Sequence, residues 1–188
     1  MPVVLVEGIT DRIALEAVAQ RLGLDLDGTE IVPIGGAQAI RRAFAQYQGQ
    51  RIVGLCDVGE EPWFRRVLGD AVYACVEDLE DELIRGLGVS RVEEVLAREG
   101  DLRTFRTFQN QPPWRGRPVE AQLRRWFHAS QRRRIRYLAP LVAALEPEQI
   151  PQPLAGFSPP WLRRARRNSG CAAGPRWSAA MRRPQSRR

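Results

Sequence analysis

The stretch Val3-Val4-Leu5-Val6-Glu7-Gly8-Ile9-Thr10-Asp11 decides the fold that we predict for this chain. Four apolar residues lead into a glutamate, a glycine and, four residues after the glutamate, an aspartate. This pattern is typical of a buried strand, a tight turn and the first turn of a helix. The turn places Glu7 and Asp11 at the carboxyl end of the strand, where parallel α/β sheets bind ligands.

Two later strand-like segments also end on acidic residues. The run 51–56 ends at Asp57, and the run 71–76 is followed by five acids within residues 77–82. Because the carboxyl ends of parallel strands meet at one edge of a sheet, we expect these acids to lie together. Hard divalent cations prefer oxygen ligands, so the pattern predicts a metal site. Its predicted ligands are Glu7, Asp11, Asp57, Asp78 and Glu80.

Strand and helix patterns alternate along the first half of the chain, and the second half is helical. Strands are predicted at 3–6, 31–34, 51–57 and 71–76, and helices at 11–22, 37–47, 63–68, 78–87, 90–99, 119–127 and 131–145. Residues 109–118 are predicted to form a loop, and two prolines break the chain at 149–153. The alternation predicts an α/β fold, a Rossmann-like parallel sheet flanked by helices, with a helical C-terminal part.

The charge of the chain is unevenly distributed. The net charge is +7, yet nine arginines and no acid fall after residue 157, and the preceding part has 20 arginines against 22 acids, a net −2. We therefore divide the chain into an α/β core at 1–88, a helical appendage of the same domain at 89–157 and an Arg-rich tail at 158–188. The tail is predicted to be disordered. A non-native extension and a nucleic-acid-binding segment are the alternatives.

Cysteine and histidine usage narrows the class of protein. Cys56, Cys75 and Cys171 lack metal-ligand spacing and are predicted to be free thiols in a reducing cytoplasm. The single histidine, His128, makes a histidine-based metal site improbable, and we expect it on a helix surface. The sequence shows neither a signal peptide nor an apolar run of transmembrane length, so we expect no membrane association.

The chain resembles the TOPRIM domain, which occurs in topoisomerases, bacterial primases and the OLD-family nucleases. The resemblance rests on three ordered motifs: Val6-Glu7-Gly8-x-x-Asp11, Pro33-Ile34-Gly35-Gly36-Ala37 and Gly54-Leu55-Cys56-Asp57. The OLD-like branch fits best, because its first motif often carries a second acid at the position of Asp11. Leu79-Glu80 resembles the third acidic motif of that branch, and the resemblance covers about residues 1–155.

The resemblance implies a Mg²⁺- or Mn²⁺-dependent nuclease acting on DNA, with Glu7, Asp57 and Arg134 as catalytic residues. Arg134 matches a position at which the OLD-like branch commonly has a lysine in a late basic helix. Full-length OLD nucleases carry an ATPase half, whereas this sequence contains no Gly-x-x-x-x-Gly-Lys-Ser/Thr loop. The chain therefore looks like the nuclease half alone, and an ATPase partner is expected. The sequence does not predict an oligomeric state.

One departure from the family pattern supports a second interpretation. Most TOPRIM domains have Asp-x-Asp on the third strand, whereas this chain has Asp57-Val58-Gly59. Glu60 or Glu61 could replace the missing second aspartate only if its side chain reached the site from a different backbone position. A non-catalytic TOPRIM module that binds nucleic acid or an ATPase partner is therefore the alternative. Nucleotidyl transfer, as in primases, is disfavoured because a lone domain lacks template-handling parts. The tyrosines occur in core-like patterns, which disfavours a topoisomerase.

Several of these residues also have ordinary structural explanations. Asp11 could cap a helix, and most of the acids at 77–82 are expected to be solvated at a helix N-terminus, leaving Asp78 and Glu80 as ligands. The basic run is either a solvated face or a nucleic-acid contact, and its predicted contact residues are Arg132, Arg133, Arg134 and Arg136. Trp114 and Trp126 are expected to serve packing rather than base stacking.

Overall fold

The computed structural model describes residues 1–156, so the predicted tail and Cys171 lie outside the described residues. Its strands are β1 (Pro2–Val6), β2 (Glu30–Pro33), β3 (Arg51–Asp57) and β4 (Val72–Cys75). The helices of the first half are α1 (Ile9–Leu22), α2 (Ile40–Gln46), α3 (Glu61–Leu68) and α4 (Leu79–Leu87). Those of the second half are α5 (Val89–Arg98), α6 (Leu102–Gln109), α7 (Val119–His128), α8 (Gln131–Ala144) and α9 (Gln152–Ala155).

The four strands form one parallel sheet in the order β2-β1-β3-β4, which confirms the predicted α/β class. The central strand β1 pairs with both β2 and β3, and its residues 3–6 are completely buried. Strand β2, which contains Pro33, lies at the edge of the sheet. A proline there disrupts the hydrogen bonds between strands least, because an edge strand pairs on one side only. Because β1 and β3 pair directly and run parallel, their acidic ends are neighbours.

Each face of the sheet packs against its own apolar layer. Val4 and Val6 of β1 belong to the larger layer, which includes residues of α1, α4, α5, α7 and α8. Val3 and Leu5 belong to the smaller layer with α2 and α3. Successive side chains of a strand point to opposite faces, and a sheet covered on both faces needs apolar residues at both. This explains the unbroken apolar run that opens the chain.

The helical second half packs around an aromatic cluster. Trp126 of α7 contacts Phe105, Phe127 and Tyr137 edge-on or tilted, with ring centroids 5.2–5.8 Å apart. All four side chains are buried, so the predicted packing role of Trp126 is confirmed. Helix α8 also packs against α1, so the helical part and the sheet share the larger apolar layer.

Two elements differ from the sequence-based expectation. Helix α6 (residues 102–109) was not predicted, because Phe105 is its only buried residue and its other positions are polar or half-buried. Residues 152–155 form the short helix α9 where two prolines predicted a break; proline is tolerated in the first turn of a helix, where its missing N–H has no partner. Within residues 1–156, every helix is too short or too polar to cross a bilayer.

Candidate functional site

The carboxylates of Glu7, Asp11 and Asp57 line one cavity of about 300 Å³ at the carboxyl edge of the sheet, together with Gly36 and Arg134. Glu7 follows β1, Asp57 ends β3, and Asp11 lies in the first turn of α1. We call these three residues the open acidic trio. The structure therefore brings together three of the five predicted ligands, at the sheet edge that the sequence indicated.

Hydrogen bonds to the backbone hold two members of the trio. The Asp57 N–H donates to Glu7 Oε1 across the neighbouring strands at 2.8 Å. The Gly8 N–H donates to Asp11 Oδ2 at 2.8 Å, so the carboxylate of Asp11 caps α1 from inside its first turn. The capping alternative for Asp11 is therefore correct in part. The same aspartate also lines the cavity, because only one of its oxygens is used in the cap.

Two glycines with positive φ angles follow β2, and one of them, Gly36, lines the cavity. Gly35 and Gly36 have φ angles of 78° and 109°, which favour glycine over residues with a Cβ. Their N–H groups both donate to the Glu7 carbonyl oxygen, at 3.0 and 3.1 Å. This turn fastens the exit of β2 to the end of β1 and so helps to fix the backbone that carries Glu7.

The open acidic trio is short of positive charge. Burial raises the pKa of Asp57 to about 7, and the negative charges of Glu7 and Asp11 act in the same direction. Burial likewise raises the pKa of Asp11 to about 6, against the lowering effect of its bond from Gly8. The pKa of Glu7 is also raised, mainly by burial. Among residues 1–156, no basic nitrogen lies within the 4.0 Å ion-pair distance of any of the three.

These properties fit a bound divalent cation. Carboxylates that are partly buried, line one cavity and are unneutralised by the protein gain most from a hard cation, which holds them ionised. The residues that would hold it are Glu7, Asp11 and Asp57. The donor set is all oxygen, which suits Mg²⁺ or Mn²⁺.

Asp78 and Glu80 differ from the open acidic trio because basic side chains of the protein neutralise them. Glu80 is 1% exposed and accepts two hydrogen bonds from Arg134, at 2.6 and 3.0 Å. Asp78 caps α4 by accepting from the Asp81 N–H at 2.8 Å, and it pairs with Arg124 at 2.6 Å. Their predicted role as metal ligands stays a prediction, and it requires a cation to compete with two guanidinium groups.

His128 is exposed at the end of α7, as expected, and its side chain also approaches this second cluster. Its Nε2 lies 3.2 Å from Asp78 and 3.6 Å from Glu80. Possible ligand atoms of the three residues lie within 4.8 Å of one another, and among the described residues only this group is so compact. A histidine-containing metal position is therefore possible in geometry. No local sequence pattern predicts this group, because His128 is about fifty residues from Asp78 and Glu80 along the chain.

The acids of residues 77–82 are more buried than expected. Three of the five are buried, including Glu82, which accepts from the Val76 N–H at 2.8 Å and pairs with Arg85 at 2.8 Å. The expectation that most of them are solvated is wrong. The physical reason is that the N–H groups at the start of α4 and the end of β4 need acceptors, and these carboxylates supply them.

The four predicted nucleic-acid-contact arginines of α8 take different environments. Arg134 faces the acidic cavity, whereas Arg136 pairs with Asp101 at 2.9 Å on the exposed side. Arg133 donates to the Trp126 carbonyl oxygen and lies 3.9 Å from the centre of its ring. Arg132 is exposed. Their contact with nucleic acid stays a prediction, but they do not form a single face.

Comparison with known proteins agrees with the fold and the first motif. Residues 2–55 match the family described as "Overcoming lysogenization defect protein-like, TOPRIM domain". The fold is similar to the C-terminal region of the Burkholderia pseudomallei OLD protein, with a TM-score of 0.59, 16% identity and coverage of 81% of this chain and 92% of that one. The fold is also similar to the same region of the Xanthomonas campestris pv. campestris OLD protein, with a TM-score of 0.58 and 18% identity. That match covers 81% of this chain and 90% of the other.

No curated protein matches the sequence significantly. The predicted resemblance to OLD-like TOPRIM proteins is nevertheless confirmed: by sequence it covers residues 2–55, and by fold most of the described chain.

Proposed function

We propose that this chain, an OLD-like TOPRIM protein, is a nuclease that hydrolyses DNA phosphodiesters with Mg²⁺ or Mn²⁺. The observation that carries the proposal is the open acidic trio: three cavity-lining carboxylates with raised pKa values and no ion-pair partner among the described residues. Carboxylates in this state are costly to the apo protein, since they repel one another in a partly desolvated site. A bound catalytic cation would relieve this repulsion, and we therefore assign the site that function.

In this proposal three carboxylates of the chain bind the cation, and one arginine stabilises the phosphate. Glu7 presents one oxygen to the cavity while the other accepts from the Asp57 N–H, so its orientation is set before a cation binds. Asp11 and Asp57 supply two further carboxylates. The bound cation would supply an activated water and Lewis-acid stabilisation of the phosphate. Arg134, at the cavity edge, would offset negative charge that develops on the phosphate.

DNA and an ATPase partner remain proposals of the same kind. DNA is supported by the chemistry of the cavity, which suits a phosphodiester, and by the nuclease association of the domain family. An ATPase partner is supported by the OLD-like resemblance.

A non-catalytic module is the second candidate, and one observation favours it. Gly59 stands where many TOPRIM domains have a second aspartate, so that carboxylate is missing from this position of the chain. Glu61 pairs with Arg65 at 2.5 Å, and Glu60 is near enough for its charge to raise the pKa of Glu7. Glu60 is therefore the better substitute of the two, and an inactive Glu60→Gln variant would assign it that role.

The test is nicking of supercoiled plasmid by the purified full chain with Mg²⁺, Mn²⁺ or EDTA. We expect nicking with either metal and none with EDTA. Glu7→Gln should abolish nicking, because the amide keeps the shape but lacks the charge that a hard cation needs. The matched control is Glu16→Gln, an exposed glutamate of α1 paired with Arg12, which should nick like wild type. A wild-type chain that is inactive with every divalent metal would leave the binding module as the function.

A further inference from the structure

We propose that a second cavity, formed by α6, α7 and the first turn of α8, binds a single-stranded segment of nucleic acid beside the acidic site. The cavity has a volume of about 570 Å³ and is lined by Arg103, Thr107, Trp114, Arg125, Trp126 and Arg133 among others. We call it the arginine cavity. The proposal deepens the nuclease function and rests on it for the nature of the ligand, but its test requires no cleavage.

The arginine cavity is positively charged and not neutralised by the protein. Its lining includes three arginines and no acid. Among the described residues, no carboxylate oxygen lies within 4.0 Å of the guanidinium groups of Arg103, Arg125 or Arg133. Arg106 of the same helix α6 shows the contrast, since it pairs with Glu93 at 2.7 Å. A concave surface with charge of one sign concentrates oppositely charged ligands.

Aromatic rings form a wall of the same cavity. Phe108 and Trp114 are stacked with their ring centroids 5.4 Å apart, and both remain half-buried rather than closed into the core. Trp126 lies under the Arg133 guanidinium, 3.9 Å from it. Rings beside unpaired arginines are the arrangement that holds single strands, because every base has a face to stack and every linkage a negative charge. The stacking of Trp114 on Phe108 agrees with the expected packing role, and base stacking is the role that this proposal adds.

Helix α8 connects the arginine cavity to the acidic site. Arg133 and Arg134 are consecutive, so their side chains leave the helix about 100° apart. Arg134 lines the acidic cavity and Arg133 lines the arginine cavity. In this proposal a strand with one phosphate at the open acidic trio continues past the first turn of α8 into the arginine cavity. A paired base inside a duplex cannot stack there, which favours a single strand.

The test measures binding of a fluorescein-labelled oligothymidylate to the full chain in EDTA by anisotropy. We expect Arg103→Gln with Arg125→Gln to weaken binding about tenfold and to lower the slope of log K against log salt by about 1.4, the value for two lost phosphate contacts on a single strand. The matched control is Arg41→Gln with Arg42→Gln, two exposed arginines of α2 on the other face of the sheet. It removes the same charge and should change affinity less than twofold, roughly.

A second pair of variants tests stacking. Trp114→Ala should weaken oligothymidylate binding about tenfold. Trp63→Ala should not, although Trp63 is exposed on α3 and also lies beside an arginine, Arg66. Photocrosslinking of a bromodeoxyuridine oligonucleotide should label the peptide that contains Trp114. Thermal melting of each variant checks that the fold is retained.

Three outcomes would overturn the proposal. The first is an equal loss of oligothymidylate affinity in the test and control variants, and the second is a crosslink confined to other peptides. The third is that a duplex or polyglutamate binds as tightly as oligothymidylate and is weakened by the same cavity variants. The last result would assign the cavity to duplex DNA or to an acidic protein partner. The outcome is separable from the nuclease proposal. Cavity-dependent binding without plasmid nicking would refute only the nuclease, and nicking with unaffected binding by the cavity variants would refute only the arginine cavity.

Discussion

At Asp57 two effects act in the same direction on one carboxyl group. Burial disfavours its charged form, and the negative charges of Glu7 and Asp11 disfavour it further, so its pKa rises from 3.8 to about 7. The residue also ends β3, and its own N–H donates to Glu7. Asp57 is thus part of the sheet and of the site at once, and its protonation reports on whether a cation is bound.

The protonation of Asp57 predicts a pH dependence of stability. Between pH 3.8 and about 7 the metal-free folded state holds a proton that the unfolded chain has released. Stability from this group therefore falls as the pH rises through that interval. We expect the free energy of unfolding of wild type, relative to Asp57→Asn, to decrease over the same interval in EDTA. Denaturant titrations at several pH values measure it.

Saturating Mn²⁺ should abolish this decrease, because a cation keeps Asp57 ionised at lower pH. Asp27→Asn, which changes an exposed aspartate, provides the control and should leave the profile of wild type unchanged. A pH-independent difference between wild type and Asp57→Asn would show that the carboxyl titrates normally in the folded protein.

At the scale of elements, helix α8 connects the two halves of the protein. It packs against α1 and α7, and its first two turns carry the arginines that reach Glu80, Trp126 and Asp101. Arg134 and Arg136 are two residues apart, so they point to different sides of the helix. One enters a nearly closed environment around Glu80, and the other remains half exposed at the surface.

This difference predicts unequal effects of two similar substitutions. Arg134→Ala leaves Glu80, which is 1% exposed, without its guanidinium partner and should destabilise the fold by about 3 kcal/mol. Arg136→Ala breaks an exposed pair and should cost about 1 kcal/mol or less. Urea denaturation measures both. Adding Glu80→Gln to Arg134→Ala should recover part of the loss, since it removes the buried charge.

Arg134→Ala should also slow plasmid nicking while Mn²⁺ still stabilises the protein, because its proposed partner is the phosphate rather than the metal. Equal stabilities of the two arginine variants would mean that Glu80 finds another partner. His128, 3.6 Å away, is the nearest candidate.

At the scale of the whole molecule, the sheet and the helical part share one apolar layer. Residues of β1, α1, α4, α5, α7 and α8 belong to it without interruption. We therefore expect residues 1–156 to unfold in a single cooperative transition. The site lies at one edge of this unit, so a ligand that binds there stabilises the whole of it.

Metal binding should be visible as a thermal shift of this transition. Mn²⁺ or Mg²⁺ should raise the melting temperature of wild type, since a ligand that binds only the native state stabilises it by mass action, by about 2.7 kcal/mol at a concentration of one hundred times Kd. Glu7→Gln should lose most of the shift, and Glu16→Gln should keep it. Differential scanning fluorimetry with EDTA as reference measures the effect. An unchanged melting temperature at saturating metal would count against any cation site.

The sheet and the position of its acidic edge could be predicted from local sequence patterns. Unbroken apolar runs such as Val3–Val6 predict strands buried on both faces, and an acid placed directly after such a run must lie at the strand end. These are local consequences of chain geometry. They were sufficient to predict the parallel α/β fold and the grouping of Glu7, Asp11 and Asp57, whereas the resemblance to OLD-like TOPRIM proteins rests on the ordered motifs.

Which charges neutralise one another depends on contacts between elements that are far apart along the chain. Arg134 pairs with Glu80 and His128 approaches Asp78 across sequence separations that no local pattern encodes, and Arg133 turns away to Trp126. Such pairings depend on how α7 and α8 pack on α4, and a shift of one residue on a helix turns a side chain by about 100°. Helix packing therefore determines that the open acidic trio lacks basic partners whereas Asp78 and Glu80 have them. The same packing determines the position of the arginine cavity.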